Sequence, residues 1–293
     1  MARQNPLQIS VVMPNRNGAA YLEQAIRSVL SAGERAKIEY IVVDGDSTDD
    51  SVDIITKYSD RMTWWISETD RGQYDAINKG FNRASGDVLA WLNSDDIYFP
   101  WTLATVASIF NDLPEVHWLT TASPGALDAD GPAPRFRTVP GYSAEAFFEG
   151  RYVPANDTAS YGAIQQESTF FRRSLWERAG ARLDCSYELA ADFELWSRFF
   201  QHAELYCVDT PLAAYRYRKD QRGADVDRYM GEVSRCLNER HSQGAIPALR
   251  RWTRRLPRRL PLIGQRLATA FGYSGREIVY VDGRWIDRTS RFY

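Results

Sequence analysis

Val88-Leu-Ala-Trp-Leu-Asn-Ser-Asp-Asp96 joins five apolar residues to four polar ones, two of them adjacent acids. An apolar run with no alternation is the pattern of a strand buried on both faces, as in a parallel sheet covered by helices. Its polar ending then falls at the carboxyl end of the strand, which is where open α/β sheets bind ligands.

The chain before this stretch repeats the same grammar. Ile9-Ser-Val-Val-Met13 predicts a strand closed by Pro14, followed by the polar loop Asn15, Arg16, Asn17, Gly18 and by Tyr21, Leu22, Ala25, Ile26, Val29 and Leu30 at helical spacing. Ile38-Glu-Tyr-Ile-Val-Val43 predicts a second strand, running into Asp44-Gly-Asp-Ser-Thr-Asp-Asp50 and a helix carrying Val52, Ile54, Ile55 and Tyr58. Trp64-Trp-Ile66 is a third strand and Tyr74 to Asn82 a third helix. Such alternation predicts an open, mainly parallel, twisted sheet with helices on both faces and right-handed crossovers. The polar clusters Asn15 to Asn17, Asp44 to Asp50, Asp70 to Asp75 and Asn93 to Asp96 all follow strands, so they converge on one edge.

Beyond residue 112 the pattern loosens. Ser123 to Pro140, rich in Pro, Gly, Ala and Asp, reads as an irregular excursion suited to a mobile lid. Gln165 to Arg172 alternates like a strand, Ser174 to Ala179 starts a helix, and Tyr187 to Gln201 carries Leu189, Phe193, Trp196 and Phe200 at helical spacing. Glu204 to Val208 is a further strand, and a helix runs from roughly Asp225 to Arg240. These readings divide the chain into a main domain, 1–222, and a helical, basic extension, 223–293.

Composition narrows the classes. With 293 residues, 44% hydrophobic and 25% charged, the chain suits one large α/β domain with a small appendage, and disorder is excluded. Three cysteines without a CxxC pair suggest neither a disulfide framework nor a thiolate zinc site. No stretch approaches the roughly 18 apolar residues of a spanning helix, and the N-terminus does not read as a signal peptide, so a cytoplasmic location is expected. The charge is uneven: residues 240–275 hold eight Arg and no Asp, Glu or Lys, and subtracting these eight from the net −2 leaves −10 for the rest. So acidic a body is a poor nucleic-acid binder. Its basic segment, 248–271, mixes Arg pairs with Trp252, Leu256, Leu260, Leu262 and Phe271, the pattern of peripheral docking on an anionic membrane. Packing on the acidic body, or a contact in a homodimer, is the competing reading of that segment.

Two adjacent acids ending an apolar strand want a cation. A hard ion, Mg²⁺ or Mn²⁺, completed by water and phosphate oxygens, would supply one. The plainer reading is a surface turn or the N-cap of a helix starting near Phe99. Trp64, Trp65 and Trp91 read as core, whereas Trp101, just after the acidic motif, is better placed to stack on a ligand. Arg216, Arg218 and Lys219 could steady a diphosphate or form a solvated strand face.

The ordered set Pro14-Asn-Arg-Asn17, Val42-Val-Asp-Gly-Asp-Ser-Thr-Asp49, Asp70-Arg-Gly-Gln-Tyr-Asp-Ala-Ile-Asn-Lys-Gly80, Ser85-Gly-Asp87 and Trp91-Leu-Asn-Ser-Asp-Asp96 resembles family 2 glycosyltransferases. The likeness is close over 9–112 and looser through Gln165 to Phe171, Ala190-Ala-Asp192 and Tyr215-Arg216 to about residue 220. It implies a GT-A fold and an inverting transfer of a sugar from a nucleotide-diphosphate sugar to a glycan or lipid-linked acceptor, with Mg²⁺ or Mn²⁺ as cofactor. By position it implies Asp44 as the partner of the nucleobase and the Pro14, Asn15, Arg16, Asn17 loop as the cradle of base and ribose. Asp95 would be the metal ligand, with Asn93 at the first position of the acidic motif and Asp96 beside it. Asp192 would be the catalytic base, with Glu188 and Glu167 as competitors. Further donor contacts are implied at Asp46, Ser47, Asp70, Gly72, Asp75, Asn78 and Ser94. The departures are Asn93 in place of Asp, Ile77 in place of Arg and Asp46 where Gly is usual. The Asp75-Ala-Ile-Asn78 variant resembles a branch associated with bacterial cell-surface polysaccharide assembly. The alternatives are a sugar-nucleotide sensor or scaffold without catalysis, and a sugar-phosphate nucleotidylyltransferase.

Overall fold

The computed structural model describes residues 7–129, 133–154, 160–218, 221, 225–241 and 274–291. Its first half is the expected alternation: β1 (Gln8–Asn15), α1 (Ala19–Ala32), β2 (Lys37–Asp44), α2 (Ser51–Lys57), β3 (Trp64–Ser67), α3 (Gln73–Arg83) and β4 (Val88–Trp91). Then follow β5 (Ile97–Tyr98), α4 (Thr102–Asp112), β6 (Trp118–Thr121), β7 (Gly125–Asp128), β8 (Arg135–Phe136) and α5 (Ala144–Phe148). The remainder comprises β9 (Phe170–Arg172), α6 (Arg173–Arg178), α7 (Ala191–Phe199), β10 (Tyr206–Val208), β11 (Ala213–Tyr217), α8 (Val226–His241), β12 (Ser274–Val281) and β13 (Arg284–Arg291).

The main sheet has nine strands in the order β13-β12-β10-β6-β9-β4-β1-β2-β3. β9 runs antiparallel to both of its neighbours and β13 antiparallel to β12, while the other pairs are parallel. A second sheet, β5-β11-β7-β8, stands beside it. The chain winds from β1 out to β3 and then returns to place β4 on the other side of β1. That reversal opens a crevice at the carboxyl ends of β1 and β4, the switch point where such sheets take ligands.

The unbroken apolar runs are explained by burial on both faces. Val11 and Met13 of β1 join a core with Leu22, Ile26 and Val29 of α1 and Leu103, Val106 and Ile109 of α4. Val12 between them points the other way, into a core with Ala76, Ile77 and Phe81 of α3. Gly80 lets α3 settle on the sheet, since a side chain there would collide with Val12. Trp91 is core, as expected, stacked on Trp196 of α7 with ring centroids 5.7 Å apart. Removing either indole would cost about 3–5 kcal/mol.

Three expectations change. Ser123 to Pro140 is no plain excursion: its described residues supply β7 and β8. Gln165 to Arg172 is a strand only at β9, because its first half closes into a 3₁₀ turn, Gln166–Ser168. The C-terminal extension is helical in α8, but 274–291 is a β-hairpin that pairs with β10 and extends the main sheet. Its two-residue turn, Asp282-Gly283, has φ of 49° and 82° at the two positions, the twist that tight hairpins require. Ile278 is fully buried in the main core and Trp285 Nε1 donates to Ser108 Oγ at 3.0 Å, so the hairpin is anchored to the main domain. The basic segment 248–271 and Lys219 lie outside the described residues. Among the described residues no helix is long and apolar enough to cross a membrane.

Candidate active site

At the switch point the backbone turns sharply and its polar groups are tied by side chains. Asp44, fully buried at the end of β2, accepts from Asn15 Nδ2 at 2.7 Å, Ser47 N at 3.0 Å, Ser47 Oγ at 2.6 Å and Ser67 Oγ at 2.6 Å. Asn17 and Asp46 both adopt left-handed backbone, with φ of 50° and 59°. Asp46 therefore occupies a conformation that glycine reaches at no steric cost. Asn17 is locked there by Ser47 Oγ, which accepts its N–H at 2.8 Å, and by its own Oδ1, which accepts from Thr48 N at 2.8 Å.

A second loop closes over the first. Asp70 Oδ1 accepts from Gly72 N at 2.8 Å, and Gly72, with φ of 109°, turns the chain into α3. Asp75 and Asn78 of α3 serve other partners. Asp75 pairs with Arg71 at 2.8 Å, and Asn78 exchanges hydrogen bonds with the backbone of Leu183 in both directions.

The third loop, after β4, carries the acidic motif. Asn93 Oδ1 accepts from Gln73 Nε2 at 2.6 Å, and its Nδ2 donates to Asp96 Oδ2 at 3.3 Å. Asp96 is fully buried and takes the backbone N–H of Arg216 on β11 at 2.8 Å. Burial, reinforced by the charges of Asp95 and Glu167, raises its affinity for a proton. Asp95 stays partly open and pairs with Arg218 at 2.8 Å. The buried Arg216 donates from Nε to the Asp95 carbonyl at 2.7 Å and lies over the Tyr21 ring, 4.6 Å from its centroid. It orders the acidic motif from behind, whereas Arg218 meets its carboxylate.

The fourth component comes from the chain's second half. Asp192 sits in the first turn of α7, a helix whose own residues provide no side-chain cap. Glu232 of α8 does this instead: its carboxylate accepts the N–H groups of Glu188, Leu189 and Ala190 at 2.9, 3.0 and 2.8 Å. Glu188 therefore precedes the helix rather than lying one turn earlier on it, and it pairs with Arg228. Burial, with a smaller push from the Glu232 charge, moves the Asp192 carboxyl up to about 6, against a hydrogen bond from Phe193 N that favours ionisation. Glu167, in the 3₁₀ turn, is 2% exposed, and burial with the charges of Asp192 and Asp95 raises its proton affinity as well.

One cleft of about 1020 Å³ unites these groups. Of the residues singled out from sequence, Pro14, Asn15, Arg16, Asn17, Asp70, Gly72, Asn93, Ser94, Asp95 and Asp192 line it, as do Glu167 and Glu188. Asp44, Asp46, Ser47, Asp75, Asn78 and Asp96 do not; Asp44, Ser47 and Asp96 stand behind the lining and tie its loops. Tyr21, Gln73, Arg137, Gln165 and Gln166 line the cleft without having been singled out for it. Gln165 and Gln166 had a signal, two adjacent amides beside a glutamate. Arg137 had none, since it belongs to the irregular excursion. Trp101, half exposed, donates to the Pro211 carbonyl and does not line the cleft.

Among the described residues no group of three or more His, Cys, Asp or Glu is arranged to hold a metal. The donor set fits a more modest site. Asp95 offers one cleft-facing carboxylate, which is enough for a hard ion that keeps its waters and takes phosphate oxygens from a ligand.

An open α/β sheet with a polar cleft at the carboxyl ends of its strands is the architecture of the GT-A fold. Residues 10–175 match the model of glycosyl transferase family 2, and the chain belongs to that family. It is a glycosyltransferase. An uncharacterized glycosyltransferase of Mycobacterium tuberculosis (strain H37Rv) is 28% identical over 282 residues, covering 94% of each chain. An uncharacterized glycosyltransferase of Nostoc sp. is 39% identical over 107 residues, 36% of this chain and 33% of that protein. Two solved structures share the fold. S. aureus TarS 1–349 in complex with UDP-GlcNAc has a TM-score of 0.60 at 16% identity, covering 85% of this chain and 70% of that one. The mannosyltransferase PcManGT from Pyrobaculum calidifontis in complex with GDP-Man and Mn²⁺ has a TM-score of 0.61 at 18% identity, covering 92% and 76%.

Proposed function

We propose that the protein moves a sugar from a nucleotide-diphosphate donor to an acceptor hydroxyl with inversion at the anomeric carbon, in the assembly of a polysaccharide or glycolipid. The observation that carries this reading is that Asp95 and Asp192, from distant parts of the chain, line the same cleft. The nucleotide sugars held by the two solved neighbours support a donor of that class. The Asn15 to Asn17 loop, stiffened by Asp44 and Ser47, receives the nucleoside, which leaves the diphosphate to Arg218 and to a cation that Asp95 would hold.

In the transfer the acceptor oxygen attacks the anomeric carbon while the bond from that carbon to the diphosphate oxygen breaks, its electron pair leaving with the diphosphate. The acceptor proton passes to the Asp192 carboxylate, whose raised pKa suits it to take a proton near neutrality. Arg218, already against Asp95, complements the departing charge. Mg²⁺ or Mn²⁺ would be held by Asp95 and would neutralise the leaving group. The Mn²⁺ in the PcManGT structure supports that choice. Residues 248–271 would dock the enzyme at the inner membrane face, near a lipid-linked acceptor.

A thermal-shift panel of UDP, GDP, dTDP and CMP with and without Mn²⁺ tests the reading, because a ligand of the folded state raises its melting temperature. One nucleoside diphosphate should stabilise only with metal, and Asp95→Ala should erase that dependence. A flat response to all four would overturn the proposal.

A further inference from the structure

Gln165, Gln166 and Glu167 line the cleft and have no part in the chemistry above. Their backbone holds itself in place. Ser168 N and Thr169 Oγ1 donate to the Gln165 carbonyl at 3.2 and 2.8 Å, and Thr169 N donates to that of Gln166 at 3.0 Å. The side chains are therefore left over by the fold. Gln165 spends its Nε2 on the Gly125 carbonyl at 3.2 Å. Its Oε1, both amide atoms of Gln166 and Oε1 of Glu167 are shut from solvent with no hydrogen-bond partner. A buried polar atom in that condition destabilises the site until a partner reaches it. Four of them on three consecutive cleft residues make a row that a ligand can complete.

The chemistry of the row selects the ligand. It offers an amide donor, two amide acceptors and a carboxyl, so it suits groups that both donate and accept. A phosphate only accepts, so it would leave the amide oxygens of Gln165 and Gln166 without a donor. Burial and the charges of Asp192 and Asp95 favour the protonated Glu167, which then donates and accepts like its amide neighbours. Sugar hydroxyls answer that description. Glu167 lines the same cleft as Asp95 and Asp192, which sets the row beside the group that passes from the diphosphate to the acceptor.

We propose that the Gln165-Gln166-Glu167 turn reads the hydroxyls of the sugar carried by the donor, and so sets which sugar is transferred. This rests on the transferase reading above. Glu167 is then a binding residue, and Asp192 keeps the proton transfer to itself.

The test is calorimetric binding, with Mn²⁺ and without acceptor, of UDP against UDP-GlcNAc, UDP-glucose and UDP-galactose, and of GDP against GDP-mannose. The proteins compared are the unaltered chain, Gln166→Ala, Glu167→Ala and Glu167→Gln, each with turnover measured alongside. Both alanine variants should lose about tenfold in affinity for the nucleotide sugar and less than twofold for the bare diphosphate. Glu167→Gln, which keeps a donor and an acceptor, should stay within about threefold. Equal losses for diphosphate and nucleotide sugar, or no loss for either, would overturn the proposal. So would a Glu167→Gln enzyme that binds the donor normally and has lost turnover, since Glu167 would then be the base. Should Glu167→Ala fail to fold, Gln166→Ala and Glu167→Gln still decide the matter. An unaltered chain that binds neither diphosphates nor nucleotide sugars would sink the transferase reading and this one together, whereas unaffected variants in a chain that binds UDP or GDP would sink this one alone.

Discussion

Asp44 and Glu167 are both acids closed off from water, at two ends of the same site, and they differ in what surrounds them. Asp44 is met by hydrogen bonds from Asn15, Ser47 and Ser67, all within the first half of the chain. Glu167 keeps an oxygen without a partner, beside two amides in the same condition. The first acid is finished by the fold and shapes loops; the second is left for a ligand to finish. A buried acid marks a working site less by its burial than by the bonds it lacks.

The sharpest way to break this contrast is at Asp192, which belongs to the unfinished end. Asp192→Asn should lower kcat by about 10²- to 10⁴-fold with donor binding retained, as read by initial rates and calorimetry. Asp44→Ala should do the opposite, acting mainly on stability. Four donors would lose their acceptor, and urea unfolding should show a loss of about 2–4 kcal/mol.

A pH series separates the two ends again. As the proposed base, Asp192 would have to be ionised, so kcat/KM should fall about tenfold per unit below pH 6. Its contribution to stability has the reverse sign. The carboxyl lies at about 6 in the folded chain against the 3.8 ordinary for an aspartate in water, so between these values the unfolded chain binds fewer protons. Stability from this residue is therefore fully present below about pH 4 and is lost as the pH rises through 6. Asp192→Asn should flatten both trends. The smallest effect is expected at Asp46, where left-handed backbone strains a residue with a Cβ. Asp46→Gly should raise stability by about 0.5–1 kcal/mol in the same urea assay.

The first half of the fold was legible because each element satisfies one periodicity alone: Ile9 to Met13 is apolar on both faces, and Leu22, Ile26 and Val29 stripe a helix. Loop residues 15–17 and 93–95 were legible for the same reason, since polar residues after such strands have one edge to occupy. The rest depended on contacts between distant residues. Gln165 to Thr169 alternates like a strand, yet Thr169 Oγ1 curls it back onto the Gln165 carbonyl. Tyr187 to Ala190 has helical spacing, but Glu232, more than forty residues further on, caps the helix at Ala190. The hairpin at 274–291 carried an overt signal, Asp-Gly between two runs with β-branched and aromatic residues, which the neighbouring Arg-rich segment overshadowed.

The carboxylate of Glu232, on the segment Glu188 to Ala190 that leads into α7, bears on how this enzyme can be divided. The family match stops at residue 175, before Asp192 and before α8. A fragment cut at that boundary would retain the loops after β1, β2 and β4 with Asp95, and would lack the helix that carries Asp192 together with the residue that caps it. For expression work and for shuffling halves between relatives, the unit to keep whole includes α8 and also the β12–β13 hairpin that pairs with β10. Partners for chimeras are accordingly to be matched at the α7–α8 contact as carefully as at the sheet.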